Sequence, residues 1–413
     1  MTTSTASRNI RFILAGLTAV APFSIDTYFP SFLAIGEAFH VGTVELQQTL
    51  SLFLLALAVM ALFHGALSDS FGRRRVILVT LALYTVASFG CVFAPSFGTL
   101  LVLRTAQGLA AGAGMIVGQA IIRDRFTGME AHKMMAQVTM LFGLAPAVAP
   151  VLGGYLHVWF GWQSVFVFLG LMGLTMFLLC RAYLTESLPV EQRQEFHPAT
   201  LTRNYLEICG DPRFILLALS MGLSFGGFIL YIASAPDIVV HIFKLKETQF
   251  AWLFIPVVIG MVSGSWFTSR SAGKASSGQL VRRGYVLMSV AAALNVGYTA
   301  FFEPQVPWAV LPLLIYVMGI TSLSPSLNIL ALDLFPEKRG MAASLLNFVQ
   351  LMIFSVLSAV VSPMVYSDAL GHALAMAALL LLSLSCWMLY RVFRALAAAK
   401  APGQPAEKTA DAA

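Results

Sequence analysis

The sequence predicts an all-α membrane protein with about twelve transmembrane helices, arranged as two six-helix halves. Of the 413 residues, 58% are apolar and 11% are charged, and the mean hydropathy is +0.82. A soluble domain has roughly a quarter of its residues charged, so a water-soluble core is excluded. The apolar runs are continuous, as in LQQTLSLFLLALAVMALFHGAL, whereas strands of a membrane β-barrel alternate apolar and polar residues. A β-barrel is therefore excluded as well.

Twelve apolar runs approach or exceed the length of about 20 residues that crosses a bilayer. In chain order they are 12–36, 46–66, 76–95, 98–122, 132–157, 162–184, 212–239, 248–269, 279–302, 306–332, 339–366 and 370–394. The longest polar interval, 185–211, separates six runs from six. It predicts a cytoplasmic linker between an N-terminal half, 1–184, and a C-terminal half, 212–394. The Ala- and Pro-rich tail, 395–413, is predicted to be disordered.

Lys and Arg fall almost entirely on one side of these runs, the side that carries both termini. Short loops rich in Lys and Arg stay in the cytoplasm, so both termini are predicted to be cytoplasmic in a multi-pass protein of the bacterial inner membrane. The formal net charge of +6 then reflects topology, and we expect no nucleic-acid partner.

Cofactor and enzyme motifs are missing from the sequence. The four cysteines contain no C-x-x-C pair and so predict no metal site; they are Cys91, Cys180, Cys209 and Cys386. No G-x-x-x-x-G-K-[ST] phosphate loop occurs, so ATP is not the expected energy source. H-E-x-x-H does not occur either. We therefore expect a non-enzyme without a cofactor, powered by an ion gradient.

The loop GALSDSFGRRR between the second and third runs has the most specific local spacing. It places Gly65, Asp69, Gly72, Arg73 and Arg74 in the pattern G-x-L-x-D-x-x-G-R-R. The glycines are expected to allow a tight turn, and the acid beside the arginines to form a charge-assisted contact that opens and closes. The alternative is an ordinary positive-inside loop with a capping acid.

Two charged residues inside the apolar runs are candidates for a proton-coupling site. Asp26 is in the middle of the first run and Arg104 is in the fourth. Low dielectric favours a neutral carboxyl, whereas a nearby cation favours the ion, so a balanced site can take up and release a proton. We expect Asp26 to be the proton-coupling acid and Arg104 its partner. The alternatives are a permanently bonded acid and an arginine that extends to the membrane surface.

Prolines and glycines are concentrated in the fifth run, MLFGLAPAVAPVLGG. Mid-span prolines remove backbone hydrogen bonds and kink helices, so Pro150, Gly153 and Gly154 are predicted to form a hinge. Structural irregularity without motion is the alternative. In the fourth run, small residues at Gly108, Gly112, Gly114 and Gly118 predict close helix packing.

Five motifs carry a resemblance to a known family. They are I-D-T-Y-F-P (25–30), GALSDSFGRRR, R-T-A-Q-G (104–108), R-D-R-F (123–126) and A-P-V-L-G-G (149–154). With them, residues from about 10 to 395 resemble the drug:proton antiporters of the major facilitator superfamily, within the bicyclomycin-resistance and chloramphenicol-efflux (Bcr/CflA) subfamily. The resemblance implies a major facilitator fold of pseudo-symmetric halves, alternating access and a monomer.

The resemblance also implies roles for individual residues. Asp69, Arg73 and Asp124 should form a cytoplasmic latch. The residues that should face a substrate cavity are Tyr28, Leu50, Gln119, Met140, Phe142 and Pro146. In the second half, Phe228, Tyr231 and Asn347 are candidate substrate contacts because aromatic side chains adapt to varied apolar ligands; packing roles are the alternative. Thr268 replaces the acid in the loop of the second half that matches GALSDSFGRRR.

The function predicted from these features is proton-coupled efflux of small, largely apolar drugs or metabolites. The expected partners are a small-molecule substrate, protons and the lipid bilayer. A proton-coupled importer of a sugar, purine or other small nutrient is the alternative within the same class. A membrane-embedded enzyme or sensor would require paired intramembrane catalytic groups or a signalling domain, and neither is visible in the sequence.

Overall fold

A computed structural model describes the backbone of residues 3–126, 128–246, 248–271 and 275–399. Side chains are described over the same ranges apart from 3–9, 128–129, 131–133, 136–144 and 397–399. Across these residues the secondary structure is helical, with no strand. The predicted all-α fold class is confirmed.

The chain divides into two compact units. The first comprises Met1–His197 and Leu245–Ala251. Its helices are α1 (Thr3–Asp26), α2 (Phe32–Phe39), α3 (Thr43–Phe71), α4 (Arg73–Val92), α5 (Phe97–Ala111), α6 (Ala113–Arg125), α7 (Gly128–Phe160) and α8 (Gln163–Tyr183).

The second unit comprises Pro198–Lys244 and Trp252–Ala413. The remaining helices are α9 (Pro198–Cys209), α10 (Pro212–Ala233), α11 (Ala235–Asp237), α12 (Ala251–Ser271), α13 (Ser277–Phe301), α14 (Leu311–Leu332), α15 (Arg339–Val356), α16 (Ser362–Met364) and α17 (Ala369–Ala399). Short π-helical segments at Ile238–Ile242 and Leu357–Val361 follow α11 and α15. Helix α9 lies inside the interval that the sequence predicts as a linker.

Eleven helical stretches of the described residues are long and apolar enough to cross a membrane. The other predicted run, 132–157, falls on α7, which has 33 residues and therefore exceeds the length of about 20 that spans the hydrocarbon. Each predicted run thus corresponds to a helix or to consecutive helical segments.

Two predicted runs of the first unit are interrupted. The first run is broken after Asp26 by a turn and by a 3₁₀ segment at Phe29–Ser31. Pro30 lies in the first turn of that segment, and a proline both lacks an N–H and disfavours α conformation in the preceding residue. The fourth run is divided at Gly112, between α5 and α6. Broken spans of this kind are tolerated where protein covers the freed backbone groups.

Glycines of the fourth run allow close packing inside the first unit, as predicted. A Cβ added at Gly108 would clash with the backbone carbonyl of Phe53 on α3, and one added at Gly114 would clash with that of Leu17 on α1. Because backbone cannot move aside as a flexible side chain can, only glycine fits at these two positions. The fourth run is therefore held tightly against α1 and α3.

Candidate proton-coupling site and cytoplasmic latch

The break in the first run positions a buried polar cluster in the first unit. We call it the helix-break cluster and define it as Ser24, Asp26, Thr27, Tyr28, Thr49, Tyr84, Ser88, Arg104 and Gln107. All nine side chains are buried, with at most 5% of their surface exposed. They come from α1, the turn that follows it, α3, α4 and α5.

Asp26 is the last residue of α1 and is 5% exposed. Within the described residues its carboxylate has no hydrogen bond and no ion pair. Burying an unpaired carboxylate ion in a protein costs on the order of several kcal/mol, whereas burying the neutral carboxyl costs much less. The group is therefore suited to exchanging a proton instead of remaining ionised.

Asp237 in the second unit provides a contrast. Asp26 and Asp237 are the only acids among the described residues that are this deeply buried. The Oδ2 of Asp237 accepts a hydrogen bond from the backbone N of Ser367 at 2.7 Å, and Oδ1 accepts one from Ser367 Oγ at 3.1 Å. His241 Nδ1 lies 3.2 Å from Oδ1. Asp237 therefore has the fixed partners of a structural acid, and Asp26 does not.

Arg104 is fully buried, which excludes the alternative that it extends to the membrane surface. Its Nη1 donates to the carbonyl of Ser24 at 3.3 Å and to Oε1 of Gln107 at 2.9 Å. Because α1 stops at Asp26, the Ser24 carbonyl lies in the last turn of that helix, where a cation is favoured. Arg104 and Asp26 form no direct ion pair in this structure, because the guanidinium binds the broken helix end instead. The role of Arg104 as the electrostatic partner of Asp26 stays a prediction.

Two aromatic rings flank the guanidinium. Its central carbon lies 4.6 Å from the ring centroid of Tyr28 and 4.7 Å from that of Phe53. Cation–π contacts of this kind are worth about 2 kcal/mol when desolvated and partly replace the missing carboxylate. Nε and Nη2 of Arg104 have no hydrogen-bond partner among the described residues, and neither does the hydroxyl of Thr27. Arg104 thus keeps unused donors at the broken end of α1.

Hydrogen bonds fix the other members of the helix-break cluster. Tyr28 shares a hydrogen bond with Thr49 at 2.9 Å, and Ser24 shares one with Tyr84 at 2.5 Å. The amide of Gln107 donates to Ser88 at 2.7 Å. Sequence reasoning did not assign these partners of Tyr28 and Arg104 to the site. The available signal was a set of polar residues inside apolar runs, but their pairing depends on contacts between distant segments.

The predicted hinge in α7 packs against this cluster. A Cβ on Gly153 would clash with the backbone carbonyl of Thr27, so glycine is required where α7 crosses the break. Gly154 and Pro150 are buried, and Pro146 is half-buried. Gly153 therefore allows α7 to pack directly against Thr27, the residue that follows Asp26. Hinge motion in α7 stays a prediction.

The predicted substrate contacts have varied environments. Tyr28 and Leu50 are buried, with at most 2% of their surface exposed, whereas Gln119 is half-buried on α6. The side chains of Met140 and Phe142 lie outside the described residues. In the second unit, Phe228 and Tyr231 are buried and Asn347 is half-buried. Tyr231 accepts a hydrogen bond from Asn295 Nδ2 at 2.5 Å. The role of these residues toward a substrate stays a prediction.

The loop GALSDSFGRRR forms an ion-pair network at the end of α3. Arg73 is 8% exposed. Its guanidinium pairs with Asp69 one helical turn earlier and with Oδ2 of Asp124 on α6 at 3.2 Å. It also donates to Ser68 Oγ at 2.6 Å. The three residues predicted to form the latch are therefore in contact.

Glu186, which sequence reasoning did not assign, completes the network. Its carboxylate accepts hydrogen bonds from the backbone N of Arg73 at 2.9 Å and of Arg74 at 3.2 Å, at the positive N-terminus of α4. Gly72 has φ +96, and a Cβ there would lie 2.6 Å from Glu186 Oε2 and 2.9 Å from Arg193 Nη2. Arg74 itself donates to the carbonyls of Leu184 and Arg181 at 2.6 and 2.9 Å.

The expectation that both glycines of the motif form a turn is wrong for Gly65. Gly65 lies inside α3, and a Cβ added there would meet nothing within 4 Å. Helix α3 continues to Phe71 because apolar residues, and the backbone hydrogen bonds between residues i and i+4, continue past Gly65. Only Gly72, between α3 and α4, makes the turn.

Replacing Arg73 with glutamine is expected to destabilise the first unit. The change leaves Asp69 and Asp124 without their cation, and one hydrogen bond to a charged group is worth about 1.5–3 kcal/mol. Because 41% of the Asp69 side chain is exposed, water compensates part of that pair. Thermal melting in detergent measures the loss. Arg75→Gln is the matched control, since Arg75 is exposed and has no partner within the described residues; equal melting of the two variants would refute the role of Arg73.

Comparison with known proteins identifies the family of this chain. The family model for the Major Facilitator Superfamily matches residues 14–359, so the chain belongs to this superfamily. It is 29% identical over 354 residues to the "Uncharacterized MFS-type transporter YdgK" of Bacillus subtilis, covering 85% of this chain and 88% of that protein. It is 27% identical over 371 residues to the "Bicyclomycin resistance protein homolog" of Haemophilus influenzae, covering 89% and 92%.

Structural comparison gives the same fold. A crystal structure of a D-xylose-proton symporter matches with a TM-score of 0.72 at 15% sequence identity, covering 91% of this chain and 97% of that one. At this identity the likeness shows the fold alone. The chain is thus a multi-pass inner-membrane transporter with the major facilitator fold, and its relatives support the narrower resemblance to the Bcr/CflA subfamily.

Proposed function

We propose that this transporter exports small, largely apolar compounds in exchange for protons, and that Asp26 is the carboxyl that carries the proton. The observation that carries the proposal is the position of Asp26. It is a buried acid at a break in a membrane-spanning helix, and it has no bonded partner within the described residues. The relative named for bicyclomycin resistance supports a drug or drug-like metabolite as the substrate.

In the proposed cycle, proton and substrate exclude one another. Protonated Asp26 is neutral and needs no counter-charge. When it releases its proton, the unused donors Nε and Nη2 of Arg104 are available to stabilise the carboxylate after a side-chain rearrangement. A ligand in contact with Tyr28 or Arg104 alters that balance and favours proton release. Such coupling between two ligands is reciprocal and amounts typically to about 5–150-fold in affinity.

Alternating access completes the proposal. The latch formed by Asp69, Arg73 and Asp124 joins the α3–α4 turn to the end of α6, so breaking it would release one side of the first unit. Opening then depends on a few charge-assisted contacts, each of which contributes modestly. No ATP or other cofactor takes part, and the proton gradient supplies the energy.

Reconstituted protein tests the function directly. Proteoliposomes are supplied with chloramphenicol, a neutral and largely apolar compound, and a pH difference of either sign is imposed. Antiport predicts that substrate moves in the direction opposite to the protons. Substrate added outside should therefore alkalinise the lumen, because protons leave as substrate enters. Substrate that moves together with protons would instead establish the alternative, an importer. Liposomes without protein control for passive leakage of chloramphenicol.

A further inference from the structure

The second unit has a crevice between the end of α12, the start of α13 and the middle of α14. Its volume is about 400 Å³. The walls are largely apolar and include Phe267, Val286 and Met318, whereas Arg282 and Arg283 line it from α13. The crevice therefore combines an apolar wall with two cations.

The apolar wall faces the surroundings of the protein. Phe267 is 52% exposed and Val286 is 57% exposed, and both lie in stretches that are long and apolar enough to span a membrane. In a membrane protein such side chains contact lipid chains, because the hydrocarbon is their favourable solvent. The crevice is consequently accessible from the acyl-chain region.

The two arginines are exposed and have no hydrogen bond or ion pair within the described residues. None of the described residues that line the crevice carries a carboxylate. Nearby, the Arg270 guanidinium lies 4.1 Å from the ring centroid of Trp266, and tryptophan is enriched where membrane meets water. The cations thus lie at the predicted cytoplasmic boundary without an internal anion.

A similar crevice in the first unit contains an acid. It lies at the end of α3 and the start of α4, has a volume of about 360 Å³ and is lined by Arg74, Arg75, Arg193 and apolar side chains. There the chain supplies an anion, because Glu186 also lines the crevice and binds the backbone N of Arg74. The second unit keeps the cations and the apolar wall but lacks an equivalent acid among the described residues.

We propose that the crevice of the second unit binds an anionic phospholipid. The phosphate is recognised by Arg282 and Arg283, and one acyl chain lies along Phe267 and Val286. Basic crevices between membrane helices on the cytoplasmic side are suited to acidic headgroups. Thr268 lines the same crevice and occupies the place where the first unit has an acid, so no carboxylate at that position repels the phosphate.

Native mass spectrometry of the full chain in mild detergent tests the proposal. The protein is titrated with phosphatidylglycerol and, separately, with phosphatidylcholine of identical acyl chains. We expect tighter binding of phosphatidylglycerol, and a loss of about 25-fold in its affinity in the double variant Arg282→Gln/Arg283→Gln, since each surface cation contributes about fivefold. Arg75→Gln/Arg123→Gln removes two exposed arginines from the first unit and should leave this affinity unchanged.

Other outcomes identify other occupants and overturn the proposal. Equal binding of the two lipids would show that the crevice does not recognise a negative headgroup. Equal losses in the two double variants would show that the arginines attract lipid only through the net charge of the protein. Glycerol phosphate that binds as tightly as the lipid would show a site for free phosphate. The tail contains Glu407 and Asp411; if lipid binds only to a chain that ends at Ala399, the tail itself is the occupant.

Discussion

Replacing Asp26 with asparagine is expected to abolish export driven by a pH difference while leaving exchange of substrate down its own gradient measurable. Asparagine has nearly the same shape but cannot take up or release a proton. The coupling free energy in such systems corresponds typically to about 5–150-fold, so we expect pH-driven accumulation to fall by at least about tenfold. Proteoliposomes with an imposed pH difference provide the measurement, and substrate counterflow without a pH difference provides the second readout.

The matched control is Glu303→Gln, which removes one exposed carboxylate by the same isosteric exchange. It should transport like the unmodified protein. A folding defect would lower counterflow and pH-driven export together in Asp26→Asn, whereas lost coupling lowers only the second. If Asp26→Asn still exports against a pH difference at the original rate, the proton is carried elsewhere and the proposed function loses its central residue.

The fold was predictable because length and hydropathy decide which segments can cross a bilayer. Every predicted run is helical, and α7 is helical throughout its 33 residues despite Pro146 and Pro150. The break after Asp26 was not predictable. A proline in a membrane helix can kink it or interrupt it, and which one occurs at Pro30 depends on what covers the freed backbone groups. Arg104 and Gly153 do so here, and both are distant in sequence.

The candidate sites also contain some contacts that the sequence predicts and others that it does not. The contact of Asp69, Arg73 and Asp124 was predictable because its residues belong to recognisable motifs at the ends of adjacent spans. Glu186 was not, since it is 113 residues from Arg73 along the chain and no local pattern marks an acid that binds a helix N-terminus. The hydrogen bonds of Arg104 to the Ser24 carbonyl and to Gln107 were not predictable in full, because the first of them depends on where α1 breaks.

Placing alanine at Gly153 is expected to disrupt the helix-break cluster. The added Cβ would clash with the carbonyl of Thr27, the residue next to Asp26, and neither backbone can yield without moving α7 or the break. Overpacking of this kind costs typically about 1–3 kcal/mol. We expect lower thermal stability in detergent and, because the break shifts, reduced pH-driven export by the protein that remains folded.

Gly65→Ala is a matched control within the same unit. Gly65 is also a glycine inside a long helix, but its added Cβ would meet nothing within 4 Å. Alanine stabilises a helix interior by up to about 1 kcal/mol relative to glycine, so this variant should melt at the same temperature or higher. The two substitutions are chemically identical and differ only in what the new methyl group meets. Equal melting temperatures and equal export would mean that α7 tolerates displacement from Thr27, and that the close approach does not hold Asp26 in place.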